Sequence, residues 1–238
     1  MQQKLRRAAV AIGLVVALGG TTAAVGGETD RGRYHLGTTS KAPGTSTGLR
    51  FFVGYRNPDD PRAKPPPIEN AVFRLPKGMR INTAALPRCT ATDAEIRAMG
   101  RGACLPSTRV GGGHLVARTG TPGADRIEAD IVAYNGAGEV VEVVFFDGTN
   151  TVAGIDRLEV DRNVLTAHPP ATPGGPPDGR TAVRRISLEI RDRNGDGGRA
   201  YVRNPSRCRA GIWRSRAHYE FADGGETTVP SRTRCHSR

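Results

Sequence analysis

Between Trp213 and Phe221 the chain alternates without a break: Trp213, Ser215, Ala217, Tyr219 and Phe221 fall on one face, Arg214, Arg216, His218 and Glu220 on the other. A period of two belongs to an extended strand, in which successive side chains project to opposite sides. One face is thus made for a core and the other for water, as in an antiparallel sheet covered on one side. Asp223-Gly224-Gly225 then turns the chain into a last short strand ending near Cys235.

The same pattern recurs upstream. Leu49, Phe51, Val53 and Tyr55 alternate with Arg50, Phe52, Gly54 and Arg56. Strand signals follow at His114–Arg118, Ile127–Tyr134, Val140–Phe146, Ile155–Val160, Ala182–Ile190 and Arg199–Val202, bounded by turns such as Asn135-Gly136 and Asp147-Gly148. The five prolines between Asn57 and Pro67 exclude that run from a central sheet. The Pro- and Gly-dense run His168–Gly179 reads as a second loop. Thr92, with Glu95 three residues on, makes a capping box, and Gly100 is a stop, so one short helix is expected over Asp93–Met99. Many short strands between turns point to an all-β fold, an antiparallel β-sandwich first and a β-barrel as the alternative.

The ends constrain the setting. Lys4, Arg6 and Arg7 precede an apolar run from Ala8 to Leu18 and small residues ending at Ala24. That is the layout of a signal peptide over residues 1–24, too short to remain as a bilayer-spanning helix of about 20 residues. No transmembrane segment is expected in the mature chain, whose net charge falls from +12 to +9 with the three basic residues removed. Residues 25–48, rich in Gly, Thr and Ser, read as a flexible leader, and residues 49–238 as a single β domain. With 37% hydrophobic and 5% aromatic residues the core is modest. An even number of cysteines in an exported chain reads as disulfides. Of three connectivities, the sequential one, Cys89 with Cys104 and Cys208 with Cys235, brackets two compact units. Neither pair has the short spacing of a zinc site.

Two stretches resemble a pattern in a family of secreted, β-rich, disulfide-bonded proteins of high-GC Gram-positive bacteria (actinobacteria). They are Leu75-Pro76-Lys77-Gly78, Asn82 and Leu86-Pro87-Arg88-Cys89, with Cys104 and Val110-Gly111-Gly112-Gly113, and the tail Cys208-Arg209-Ala210-Gly211-Ile212-Trp213 with Tyr219–Gly224 and Cys235. The likeness departs at Leu105, where the pattern usually has Pro. It implies export, disulfide pairing and β architecture, and brings no activity with it.

Candidate sites are few. Asp192, Asn194 and Asp196 match the opening of a calcium loop, but the twelfth position is Arg203 instead of Glu, and a polar hairpin turn accounts for the same residues. Calcium is the one cofactor these residues suggest. Arginines thicken between Arg184 and Arg216, and Arg185, Arg191, Arg214 and Arg216 are placed to face solvent. Guanidinium groups pair bidentately with phosphate and carboxylate, so an anionic cell-wall polymer or lipid headgroup is the expected partner. The plainer reading is solvated surface charge. Nucleic acid is not expected, because no basic stretch is interleaved with stacking aromatics.

The five histidines are scattered, with no His-Glu-x-x-His and no Gly-x-Ser-x-Gly elbow. His114, after Gly111-Gly112-Gly113, reads as a turn into a strand. Together these features point to a non-catalytic binding or structural protein, secreted or wall-associated. The alternatives are a secreted hydrolase whose site assembles from distant residues, and an apolar-ligand carrier. The carrier reading uses Ile127, Ala129, Ile131 and Ala133, whose modest side chains would line a barrel interior.

Overall fold

The computed structural model describes residues 27–236; the expected signal segment, residues 1–24, lies outside them. Fourteen strands and one α-helix appear in chain order: β1 (Gly27–Glu28), β2 (Gly32–Thr38), β3 (Leu49–Tyr55), β4 (Ile68–Arg74), β5 (Arg80–Ile81), α1 (Asp93–Met99), β6 (Arg109–Arg118), β7 (Arg126–Asn135), β8 (Val140–Phe146), β9 (Val152–Asp161), β10 (Val164–Ala167), β11 (Ala182–Ile190), β12 (Val202–Arg203), β13 (Ile212–Phe221) and β14 (Glu226–Arg234). Twelve form one antiparallel sheet in the order β1-β2-β3-β11-β6-β7-β8-β9-β10-β4-β13-β14, and β5 pairs with β12 alone. A sandwich needs two stacked sheets. Here one sheet curls until β14 meets β2, which is the barrel alternative.

The seam is closed by side chains. Ser231 Oγ on β14 accepts from the buried Leu36 N–H on β2 at 3.1 Å, and Thr233 Oγ1 donates to the Leu36 carbonyl. These inward hydroxyls satisfy an edge that would otherwise hold unpaired backbone groups in the core. Residues 32–38, expected within a flexible leader, are therefore a structural strand, with Tyr34 and Leu36 buried. Gly and Thr dilute its composition, yet the inward positions are apolar.

The interior is filled unequally. Around β2, β3, β4 and β13 the rings of Tyr34, Phe51, Tyr55, Phe73, Tyr219 and Phe221 stack in tilted and edge-on pairs 4.9–6.5 Å apart. Opposite them, β6 and β7 contribute Ala117, Ala129 and Ala133. Loop residues Met79, Leu86 and Tyr201, with Ile81 of β5 and Val202 of β12, plug the end of the barrel where β4 and β7 finish. Asn135 secures that plug by donating from Nδ2 to the carbonyls of Thr83, Leu86 and Pro87 at 2.9–3.0 Å.

Both disulfides have the sequential pairing, with Cα separations of 5.3 Å for Cys89–Cys104 and 5.9 Å for Cys208–Cys235. The first holds α1 against the outside of the barrel. Ile96 of α1 packs with both cysteines on Val132, Tyr134, Val144, Phe146 and Ile155. The capping box of Thr92 and Glu95 is present, and Gly100 ends the helix at φ +56°. Among the described residues no helix is long and apolar enough to cross a membrane.

Candidate functional site

The four arginines expected on one positive surface are split by the topology. Arg185 and Arg191 belong to the β11 region, whereas Arg214 and Arg216 lie on β13, with β14, β2 and β3 intervening around the barrel. Arg185 sits in a cleft with Arg33, Arg56, Arg126 and Arg184. Most of that charge is already answered: Arg33 and Arg56 bind Glu28, Arg126 binds Glu128, and Arg184 donates to the carbonyls of Tyr55 and Pro61 at 2.8 Å. Arg191 shares a hollow with Asp130 and Glu189.

The surface around Arg214 and Arg216 is different. In the ladder Arg214 lies directly opposite Arg232 of β14, and Arg216 directly opposite Arg74 of β4. All four side chains are exposed. Directly opposed residues hold their Cβ atoms about 4.5–5.5 Å apart, and like charges there are destabilising. None of the four has a carboxylate within salt-bridge distance among the described residues.

From Arg214 the basic surface continues into an open groove of about 660 Å³ lined by Pro76, Lys77, Arg207, Arg209 and Trp213, with no acidic residue in its wall. Each cation there is placed by local structure. Lys77 occupies the second position of a tight turn closed by Met79 N–H to Pro76 carbonyl at 2.9 Å, whose third residue, Gly78, has φ +89°. Arg207 and Arg209 flank Cys208, which is tied to Cys235 at the end of β14. Trp213 Nε1 donates to the Arg207 carbonyl at 2.9 Å and fixes the same loop from below.

The residues of the calcium-loop match form a turn. Asn194 bridges to Ala200, Gly195 N–H donates to Arg199 carbonyl at 2.9 Å, and the Asp192 carboxylate accepts from Ser46 Oγ. Among the described residues, the one set of three His, Cys, Asp or Glu ligand atoms within 4.8 Å is Cys89, Cys104 and Glu142, and its sulfurs are joined in a disulfide.

A row of residue types suited to hydrolysis does occur. Ser187 of β11 is opposite His114 of β6, which is opposite Asp130 of β7. It lies on the exposed outer wall, His114 Nε2 faces Glu128 at 3.5 Å, and Nδ1 is 3.9 Å from Asp130, so no proton relay from Ser187 is assembled. Gly111 and Gly113 before it lie inside β6, packed so closely on the β11 backbone that any Cβ would overlap the Glu189 and Ser187 carbonyls. The flat glycine run serves strand packing.

The barrel end opposite the plug holds a cavity that sequence reasoning reached only in part. Ile127 and Ala129, expected to line an interior, do so, joined by Leu115, Ala117, Phe145, Ala153, Val183 and Ile186, and by Asp156 of β9. Asp156 points inward because its neighbours Ile155 and Arg157 pack outside, on the helix cluster and on Asp93 with Glu142. Burial pushes its carboxyl above the ordinary range, while the Arg157 N–H and the charges of His168 and Arg157 offset this only in part. The loop over this end is pinned by Lys64, a buried cation with no signal in the sequence beyond its Pro-rich setting. Its Nζ donates to Gly175 carbonyl at 3.0 Å, Arg180 carbonyl at 2.7 Å and Asp178 Oδ1 at 2.6 Å. Comparison with families of known proteins, with curated proteins and with solved structures finds no match to this chain.

Proposed function

We propose that this chain is a non-catalytic binding protein of the extracellular or envelope space that holds an anionic polymer along the strip formed by Lys77, Arg207, Arg209, Arg214, Arg216, Arg74 and Arg232. The observation that carries this reading is the direct opposition of Arg214 to Arg232 and of Arg216 to Arg74 with no carboxylate between them. Such pairs cost stability in the free protein, and a bound polyanion removes that cost. The strip is open and runs from the groove onto three adjacent strands, so it suits an extended chain of repeated charges better than one enclosed anion. Two disulfides fit a setting outside the reducing cytoplasm, and the layout of residues 1–24 supports export.

Retention on immobilised long-chain polyphosphate tests this reading. At about 0.15 M salt, where diffuse attraction is screened beyond about 8 Å, the wild type stays bound. Arg214→Glu with Arg216→Glu elutes early, and Arg185→Glu with Arg191→Glu elutes with the wild type. Equal elution of the two double variants would show that net charge alone governs binding and would overturn the assignment to the strip.

A further inference from the structure

We propose that the open end of the barrel is a binding site for a small hydrophobic amine, with the apolar body inside the barrel and the ammonium on Asp156. The site is separate from the basic strip and does not depend on it.

The cavity is about 130 Å³. An apolar cavity of about 150 Å³ accepts benzene, so the volume fits one ring or a short branched chain, well below drug-sized ligands. Its wall gathers most of the main-core side chains that retain exposure among the described residues. Of the five hydrophobic residues that pack on the main core yet stay partly open, Ile127, Phe145, Val183 and Ile186 all line this cavity. The space exists because the buried Ala117 and Ala129 stand where larger groups would fill it, with Ala153 and Gly154 also in its wall.

The polar groups of the wall decide the ligand's charge. Thr181 Oγ1 is committed to Pro173 carbonyl at 2.7 Å, and Arg180 is held by Glu69 at 3.1 Å. Asp156 Oδ1 accepts from the Arg157 N–H at 2.8 Å, and its second oxygen has no hydrogen-bond partner among the described residues. A carboxylate half-withdrawn from water beside apolar walls is unfavourable until a cation or donor meets it. An ammonium supplies both charge and donors. Arg180 also has a buried Nε with no acceptor, so an anionic ligand is the competing chemistry and is included in the test.

The test is a chemical-shift titration of the mature protein with benzylamine, with toluene and benzoate as matched probes. Benzylamine should perturb amides of β7, β9, β11 and the loop 168–181, and bind about tenfold or more tightly than toluene, as expected for a charge-assisted contact in a partly dry site. Asp156→Asn should remove that advantage while leaving toluene binding unchanged. Ala129→Phe should abolish binding of all three by filling the space. Absence of shifts with benzylamine, equal affinity in Asp156→Asn, or tighter binding of benzoate would each overturn the proposal. Should Ala129→Phe fail to fold, the Asp156→Asn comparison still decides.

Discussion

Replacing Lys64 by Met should cost more than any surface substitution, because it breaks the pin holding two loops together over the barrel end. The Lys64 side chain is 5% exposed and Asp178 30% exposed, so this pair is largely withdrawn from solvent. Met fills similar space but takes the ammonium donor away from two carbonyls and a carboxylate, of which the Gly175 carbonyl keeps the Gly179 N–H at 3.1 Å. Removing one partner of a buried ion pair costs about 3–5 kcal/mol. Asp178 keeps the Arg180 N–H at 2.9 Å and some water, which places the loss near the lower end, about 3 kcal/mol. For a domain of this size that is a fall of about 6–12 °C in Tm.

The pH dependence of that loss follows from Asp178. Burial acts to raise its carboxyl, but the Lys64 hydrogen bond, the Arg180 N–H and the Lys64 charge outweigh it, and the folded value lies below the ordinary one. A depressed carboxyl stabilises the fold fully above its unfolded value of about 3.9 and loses that contribution as pH falls through the folded value. The deficit of Lys64→Met is therefore full at neutral pH and narrows below about pH 4. Urea unfolding followed by tryptophan fluorescence reads both effects, since Trp213 is buried. A neutral-pH midpoint shift worth under about 1 kcal/mol, or one that does not change with acid, would show that the three contacts to Lys64 do not hold the loops.

Removing Cys89–Cys104 by paired Ala substitutions should cost about 3 kcal/mol and removing Cys208–Cys235 about 3.5 kcal/mol, from loop-closure entropy over separations of 15 and 27 residues; denaturant midpoints of the two variants check the order. Loss of Cys208–Cys235 should also weaken polyphosphate retention, because Arg207 and Arg209 lose their placement, while loss of Cys89–Cys104 leaves retention unchanged. At the seam, Ser231→Ala with Thr233→Val should destabilise by about 1–3 kcal/mol per orphaned backbone group and speed amide exchange at Leu36. Unchanged exchange there would mean that the seam is closed by something else. Asp156→Asn should raise the urea midpoint at pH 7. The folded carboxyl titrates above its unfolded value, so its ionisation opposes folding at neutral pH, and the wild type regains that stability as pH falls through the folded value. A variant less stable than wild type at pH 7 would contradict this.

Local pattern carried much of the fold. β3, β8, β11 and α1 begin and end where alternation, turns and the capping box place them, and both cysteine pairs join as their spacing suggests. The elements that escaped are those whose pattern is interrupted or diluted. In β4 the inward residues are Ile68, Ala71 and Phe73, and the irregular step comes from a bulge opposite Glu220 and Phe221. In β2 only Tyr34 and Leu36 mark the core between Gly and Arg. Ser231 and Thr233 look like solvent-facing residues in a strand, because nothing in β14 alone announces that its partner edge needs donors and acceptors. The candidate sites were legible to the same extent. Arg214 and Arg216 alternate outward by local rule, but Arg74 and Lys77 join them only through the β4–β13 pairing. Ile127 and Ala129 mark an inner face, whereas Asp156 becomes part of a cavity only when five other elements surround it.

The unequal filling of the barrel bears on which reading its interior supports. A barrel needs its inner face packed to be stable, and each unfilled methylene volume lowers stability. One half obeys that rule with six aromatic rings, and the far end is plugged by loops held through Asn135. The other half has Ala117, Ala129, Ala153 and Gly154 around an open space and an inward carboxylate. The roof above that space is pinned by the buried Lys64, so rigidity is invested in the walls and the roof around a volume bordered by small side chains. Stability alone accounts for the filled half and for the pin. It does not account for Asp156, whose ionisation works against folding, and a cationic ligand turns that opposed charge into a favourable contact.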